Sequence, residues 1–236
     1  MKTRIEKTQN WLQQTILPVV VLNSVDEGLQ IAEGLMRGGI PQIEITLRTP
    51  AALQAMQAIA KAFPDMAISA GTVLSPLQFD QASDHGASLF ISPGLTETLA
   101  EHALKYDYAW VPGAATASEL MRALELGFSL IKFFPAMAAG GPKALEAITA
   151  PLASARVIPT GGVTLDNLPL WRAIPAVQAL GGTWLTANLN HESDVVNVVA
   201  QRAAAAVSAW QALPRYTVKS ILLFRPITRL QPILIS

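Results

Sequence analysis

The chain contains no cysteine. Disulfides, thiolate nucleophiles and cysteine-based metal sites are therefore excluded. Histidine is almost as scarce. His85, His102 and His191 are scattered, with no pair at metal-ligand spacing and no two-histidine-one-carboxylate cluster. Metal-dependent aldol or epimerase chemistry is thereby disfavoured. Charge is sparse as well: 14% of residues are charged and the formal net charge is zero. Such a chain offers no electrostatic case for nucleic acid. No apolar run approaches the ~20 residues a membrane span needs. The start, Met1-Lys2-Thr3-Arg4-Ile5-Glu6-Lys7, is polar and no signal-peptide core follows it. A soluble cytoplasmic protein is expected. Neither a Walker loop nor a dinucleotide fingerprint is present, and no cofactor is expected.

What the chain does have is rhythm. Of its 236 residues, 51% are hydrophobic, enough for a large core. Short β-branched or apolar runs fall near 18–22, 42–47, 66–71, 88–92, 108–112, 129–134, 156–160 and 176–181. Segments of helical period lie between them, near 26–38, 50–63, 76–85, 96–105, 116–126, 141–149, 165–173 and 193–212. Eight strand–helix repeats predict an α/β fold, a (β/α)8 TIM barrel. The open doubly wound sheet is the rival. Residues 3–14 are expected to form an extra N-terminal helix on the barrel floor.

Turn chemistry agrees with these bounds. Gly38-Gly39 and Gly86 follow helices as stop signals. Ser24 precedes Asp26-Glu27, and Thr116 stands three residues before Glu119, a capping-box spacing. Asp166 and Asn167 read as helix caps. Pro93, Pro112 and Pro135 are expected to close strands. Residues 1–213 then form the barrel domain, and 214–236 stand apart from its rhythm. That extension carries Arg215, Lys219, Arg225 and Arg229 and no acid, so the rest of the chain is net negative by four. It reads as a disordered tail, as a strand packed on a neighbouring subunit, or as a weak membrane-surface contact. Pro226 and Pro232 argue against the last.

Strand alternation orients side chains. In the second strand Ile43, Ile45 and Leu47 take the helix side, so Glu44, Thr46 and Arg48 point to the lumen or the upper rim. In Leu130-Ile131-Lys132-Phe133-Phe134-Pro135, Ile131 and Phe133 face the helices, which turns Lys132 inward. A lone ammonium is costly to bury. Burial favours the neutral amine, which is a nucleophile suited to Schiff-base chemistry. One alternative is a lysine snorkelling from an edge strand. Another is a buried ion pair that merely fills the lumen. Three charged groups converging at the C-terminal ends of parallel strands fit a site better.

Thr160-Gly161-Gly162 follows the seventh strand and Gly181-Gly182-Thr183 the eighth. Loops at these two positions commonly build a phosphate site from backbone N–H groups. Two tight turns are the simpler reading. Lys143, at the start of the sixth helix, reads as a solvated helix-end lysine.

Six runs carry a resemblance: Glu44-Ile45-Thr46-Leu47-Arg48-Thr49, Ala70-Gly71-Thr72-Val73-Leu74, Ile91-Ser92-Pro93-Gly94-Leu95, Lys132-Phe133-Phe134-Pro135-Ala136, Pro159-Thr160-Gly161-Gly162 and Gly181-Gly182-Thr183-Trp184. In order and spacing they resemble the 2-keto-3-deoxy-6-phosphogluconate aldolase / 4-hydroxy-2-oxoglutarate aldolase family, from about Pro18 to Trp210. The resemblance implies a homotrimeric, metal-free class I pyruvate aldolase of the Entner-Doudoroff pathway. It would cleave 2-keto-3-deoxy-6-phosphogluconate to pyruvate and glyceraldehyde 3-phosphate. Its partner would be a small-molecule keto acid, not nucleic acid or a membrane.

By match to the family motifs, Lys132 would form the Schiff base and Glu44 would be the general acid/base. Arg48, Thr72 and Thr160 would bind the pyruvyl carboxylate and keto region. Pro93 and Phe134 would line the site, and Gly161, Gly162, Gly182 and Thr183 would hold the phosphate. Two positions depart from the family: serine is usual where Thr183 stands, and glutamate is frequent where Met137 stands. Two other functions stay open on the residues. One is a sister aldolase preferring 4-hydroxy-2-oxoglutarate or 2-keto-3-deoxy-6-phosphogalactonate. The other is a non-catalytic barrel that binds a phosphorylated acid.

Overall fold

The computed structural model describes residues 16–213. The expected helix at 3–14 and the extension at 214–236 lie outside the described residues. Strands and helices alternate from β1 (Ile16–Val20) through α1 (Val25–Arg37), β2 (Gln42–Thr46), α2 (Ala52–Ala62), β3 (Ala67–Gly71), α3 (Pro76–Asp84), β4 (Leu89–Ile91) and α4 (Glu97–Lys105). They continue through β5 (Trp110–Val111), β6 (Gly113–Ala114), α5 (Ala117–Glu125), β7 (Leu130–Phe133), α6 (Gly141–Thr149), β8 (Arg156–Pro159), α7 (Leu168–Arg172), β9 (Leu180–Gly182) and α8 (Val195–Ala212). Every strand pair is parallel.

Six strands run side by side in the order β5-β4-β3-β2-β1-β9, and three more as β6-β7-β8. Bridges Val157↔Val177 and Thr160↔Gly181 join the two groups and close the ring. The fold is the (β/α)8 barrel that the periodicity predicts, with one correction. Pro112 does not end the fifth strand. It divides the strand into β5, which pairs with β4, and β6, which pairs with β7. Proline lacks an N–H but keeps its carbonyl. Here that carbonyl accepts from Lys132 N at 2.9 Å, and the ladder resumes with Gly113 opposite Lys132.

Side-chain alternation builds two cores. Outward residues such as Ile43, Ile45, Ile131 and Phe133 pack beneath the helices in one continuous cluster. Inward residues Leu17, Leu89, Ile91, Val111, Leu130 and Ile158 form a second cluster inside the ring. The barrel centre is therefore filled. The helices are fixed at their ends by the expected caps. Ser24 Oγ accepts from Glu27 N at 3.1 Å, and Thr116 with Glu119 forms a reciprocal capping box. Helices α1 and α8 approach closely at Gly34 of α1, where a Cβ would stand 2.7 Å from the Val196 carbonyl oxygen on α8. Among the described residues no helix is long and apolar enough to cross a membrane.

An aromatic layer of Phe79, Phe90, Tyr108 and Trp110 fills the space behind α3 and α4. At its edge the Tyr108 hydroxyl donates to Asp80 Oδ1 at 2.7 Å, and His102 Nε2 lies 3.0 Å from the same oxygen. These two contacts hold the Asp80 carboxyl below its ordinary 3.8. Burial first, and then Asp80, push the Tyr108 phenol up to about 12. The Asp80 contribution is present above its ordinary value and lost as pH falls through the lower folded one. The Tyr108 contribution is complete below pH 10.0 and lost as pH rises toward about 12. Tyr108→Phe should flatten the alkaline limb of a plot of melting temperature against pH. An unchanged limb would mean that the phenol does not set it.

Candidate active site

Alternation along β2 and β7 brings one acid and one amine together inside the ring. Glu44 is fully buried and Lys132 is 7% exposed. Lys132 Nζ donates to Glu44 Oε1 at 2.9 Å across 88 residues of sequence. The other glutamate oxygen, Oε2, is buried with no partner among the described residues. The remaining lysines of this region, Lys61, Lys105 and Lys143, are all exposed. Leu130, one inward step down β7, and Ile158, which pairs with Lys132 on β8, belong to the apolar filling of the barrel. The pair thus sits at the bottom of whatever space opens toward the C-terminal strand ends.

Four of the expected site residues stand at or just beyond the C-terminal ends of barrel strands. Phe134 follows β7, and its ring centroid is 5.4 Å from Lys132 Nζ. Thr160, 4% exposed, ends the seventh barrel strand and bridges to Gly181. Thr72 follows β3 with φ 59°, a left-handed conformation uncommon for a β-branched residue. Such strain gathers at functional sites. Pro93 follows β4 and is half-buried. Its carbonyl backs onto Gly113, so closely that no side chain fits there. Arg48 lies two residues beyond β2 with its side chain exposed at the rim. It is the one charged residue of the three that is not buried in the lumen.

The glycine turns differ from each other. Gly161 and Gly162 take φ 100° and 77°, values that favour glycine. Gly161 lies against the Phe134 ring, which a Cβ would meet at 3.5 Å, so this turn is tied to the lysine strand. Gly182 is glycine for another reason: the Trp184 indole occupies the volume of a Cβ. Thr183 is exposed beside it.

Asn167 corrects an expectation. It occupies the cap position of α7 but makes no capping bond. Its amide nitrogen donates to the Gly162 carbonyl at 2.9 Å, while its oxygen accepts from Thr164 N at 2.9 Å and from Trp171 Nε1 at 3.1 Å. The side chain braces the Gly161–Gly162 turn. The sequence signal is an asparagine five residues after the glycine pair, and cap chemistry explains it equally well. On the expectation that this turn receives a phosphate, Asn167→Ala should raise KM for a phosphorylated substrate about 3- to 10-fold, the equivalent of one hydrogen bond, with kcat nearly unchanged. An equal loss on a non-phosphorylated substrate would assign the residue to the fold instead. Asp166 is exposed, and among the described residues no cluster of His, Cys, Asp and Glu could hold a metal ion.

Comparison with known proteins gives a consistent picture. The model of the KDPG and KHG aldolase family matches residues 8–201. The 2-dehydro-3-deoxy-phosphogluconate aldolase of Dickeya dadantii is 40% identical over 197 residues, covering 82% of this chain and 92% of that protein. The KHG/KDPG aldolase of Escherichia coli K12 is 42% identical over 170 residues, 72% of this chain and 80% of that one. Among solved structures, KDPG aldolase of Legionella pneumophila holds pyruvate as a covalent carbinolamine. It superposes with TM-score 0.81 at 35% identity, covering 85% of this chain and 97% of the other.

Proposed function

Because this chain belongs to the KDPG and KHG aldolase family, we propose that its buried Lys132–Glu44 pair carries a Schiff-base aldol cleavage. The enzyme is a class I, metal-independent carbon–carbon lyase. It cleaves 2-keto-3-deoxy-6-phosphogluconate to pyruvate and glyceraldehyde 3-phosphate. The observation that carries the residue assignment is that Lys132 alone among the described lysines is buried, 2.9 Å from a buried carboxylate.

The Lys132 amine attacks the C2 ketone, and the carbinolamine loses water to give an iminium. Glu44 relays the protons of these steps. It then takes the proton of the C4 hydroxyl as the C3–C4 bond breaks. The bond's electron pair flows into the iminium, leaving an enamine, and the aldehyde departs. Protonation at C3 and hydrolysis release pyruvate and restore the amine. Arg48 reaches the carboxylate from the rim with a fork suited to two parallel hydrogen bonds. Thr72 and Thr160 offer hydroxyls to the same end of the substrate, and Pro93 and Phe134 wall it. Gly161, Gly162, Gly182 and Thr183 receive the phosphate.

Residues 1–213 constitute the catalytic barrel in this reading, with 214–236 as an extension. The family resemblance supports a homotrimer acting in the cytoplasm on the Entner-Doudoroff route. The bifunctional name of the Escherichia coli relative favours testing 4-hydroxy-2-oxoglutarate beside the phosphorylated substrate. A higher kcat/KM for the smaller acid would move the preference to it.

The test is to incubate the protein with pyruvate, reduce with borohydride and locate the added mass by peptide mass spectrometry. The expected adduct is on Lys132. No adduct, or one spread over Lys61, Lys105 and Lys143, would make Lys132 a structural amine and favour a non-catalytic binding barrel.

A further inference from the structure

We propose that Gly71 is a positioning residue for the Glu44 carboxylate, an inference that rests on Glu44 acting as the acid/base. Gly71 ends β3 and pairs with Thr46, one inward step closer to the barrel mouth than Ser69, which pairs with Glu44. It stands within a regular strand and not at positive φ, so its backbone would accept a side chain. Space forbids one. A Cβ on Gly71 would lie 2.7 Å from Glu44 Cγ and 2.9 Å from Cδ, and closer still to Oε1. Real Cβ atoms do not approach so near.

Nor can the glutamate step aside without consequence. It is fully buried, and its Oε1 accepts from Lys132 Nζ at 2.9 Å. The oxygen that meets the amine is also the one nearest Gly71, so the bare backbone fixes where the carboxylate sits and how its plane is turned. The other oxygen, Oε2, has no partner among the described residues and is left to meet the substrate hydroxyl. A methyl group at position 71 would displace the carboxylate from both. Misplacement of a catalytic group by about 1 Å typically lowers the rate on the order of 10²-fold.

The test is a double-mutant cycle of Gly71→Ala and Glu44→Ala. Alanine at position 44 removes Cγ, Cδ and both oxygens, the atoms that the new methyl would meet. Gly71→Ala alone is expected to lower kcat and pyruvate C3 proton exchange together, about 10²-fold, with KM changed little. Glu44→Ala/Gly71→Ala is expected to match Glu44→Ala alone in residual rate and in melting temperature. Losses that multiply, as for independent sites, would overturn the proposal. If Gly71→Ala is insoluble while the double variant folds and matches Glu44→Ala, the same clash is demonstrated. If both are insoluble, the glycine serves the strand and the proposal falls. A Glu44→Gln enzyme as fast as the wild type would remove the acid/base reading itself, whatever the cycle shows.

Discussion

Lys132→Ala should abolish measurable aldol cleavage and, in the same protein, lower thermal stability. The first effect follows from the proposed mechanism. Without the amine there is no iminium to receive the C3–C4 electrons, and no other buried lysine stands near among the described residues. The second follows from the pair's burial. Glu44 is fully buried and Lys132 is its partner at 2.9 Å. Removing one member of a buried ion pair leaves an uncompensated charge and costs about 3–5 kcal/mol. For a chain of this size that corresponds to roughly 6–20 °C in melting temperature. Adding Glu44→Gln to Lys132→Ala should recover most of that loss without recovering activity. Calorimetry and a pyruvate assay on both variants check the prediction. Cleavage above the uncatalysed rate in Lys132→Ala would sink the nucleophile assignment. An unshifted melting temperature would sink the energetic one.

Glu44→Gln carries the second-largest expected effect. The amide has the shape of the acid and keeps an oxygen to accept from Lys132 Nζ, but it does not take up a proton. Cleavage and exchange of the C3 protons of pyruvate should both slow by about 10²–10⁴-fold, the usual span of general acid–base assistance. The borohydride-trapped pyruvate adduct should still form on Lys132. A variant with normal proton exchange and only a raised KM would reduce Glu44 to a binding group.

Much of this arrangement is legible in the order of the residues. Hydrophobic period separates strands from helices, and alternation alone turns Glu44 and Lys132 into the same lumen although 88 residues separate them. Pattern of this kind is legible because each strand must present one face to the helices. The roles of Thr72, Pro93 and Phe134 come from the family resemblance instead, because a lone threonine, proline or phenylalanine at a strand end has no chemical signature of its own.

What escapes the sequence is mostly contact between distant segments. Pro112 reads as a stop, since the loss of an N–H is visible in sequence while the use of its carbonyl by Lys132 N is not. Gly182 reads as a turn residue, and Gly71 as one member of a matching run. One is bare because Trp184 lies against it, and the other because Glu44 does. Asn167 reads as a cap because asparagine before a helix usually is one. Only the fold shows that its side chain points back to Gly162.

The apolar filling of the barrel has a consequence for the order of events. Leu17, Ile91, Val111 and Leu130 fill the lumen toward the floor, with Ile158 beside the lysine, so the proposed site is a well with one mouth and no exit through the floor. The end of the substrate bonded to the lysine is the deepest part. The aldehyde fragment, nearer the mouth, must leave before pyruvate can. In the synthetic direction pyruvate must enter first. Release is thus first in, last out, and pyruvate should compete directly with substrate for the free enzyme, whereas the aldehyde should bind productively only after pyruvate is in place.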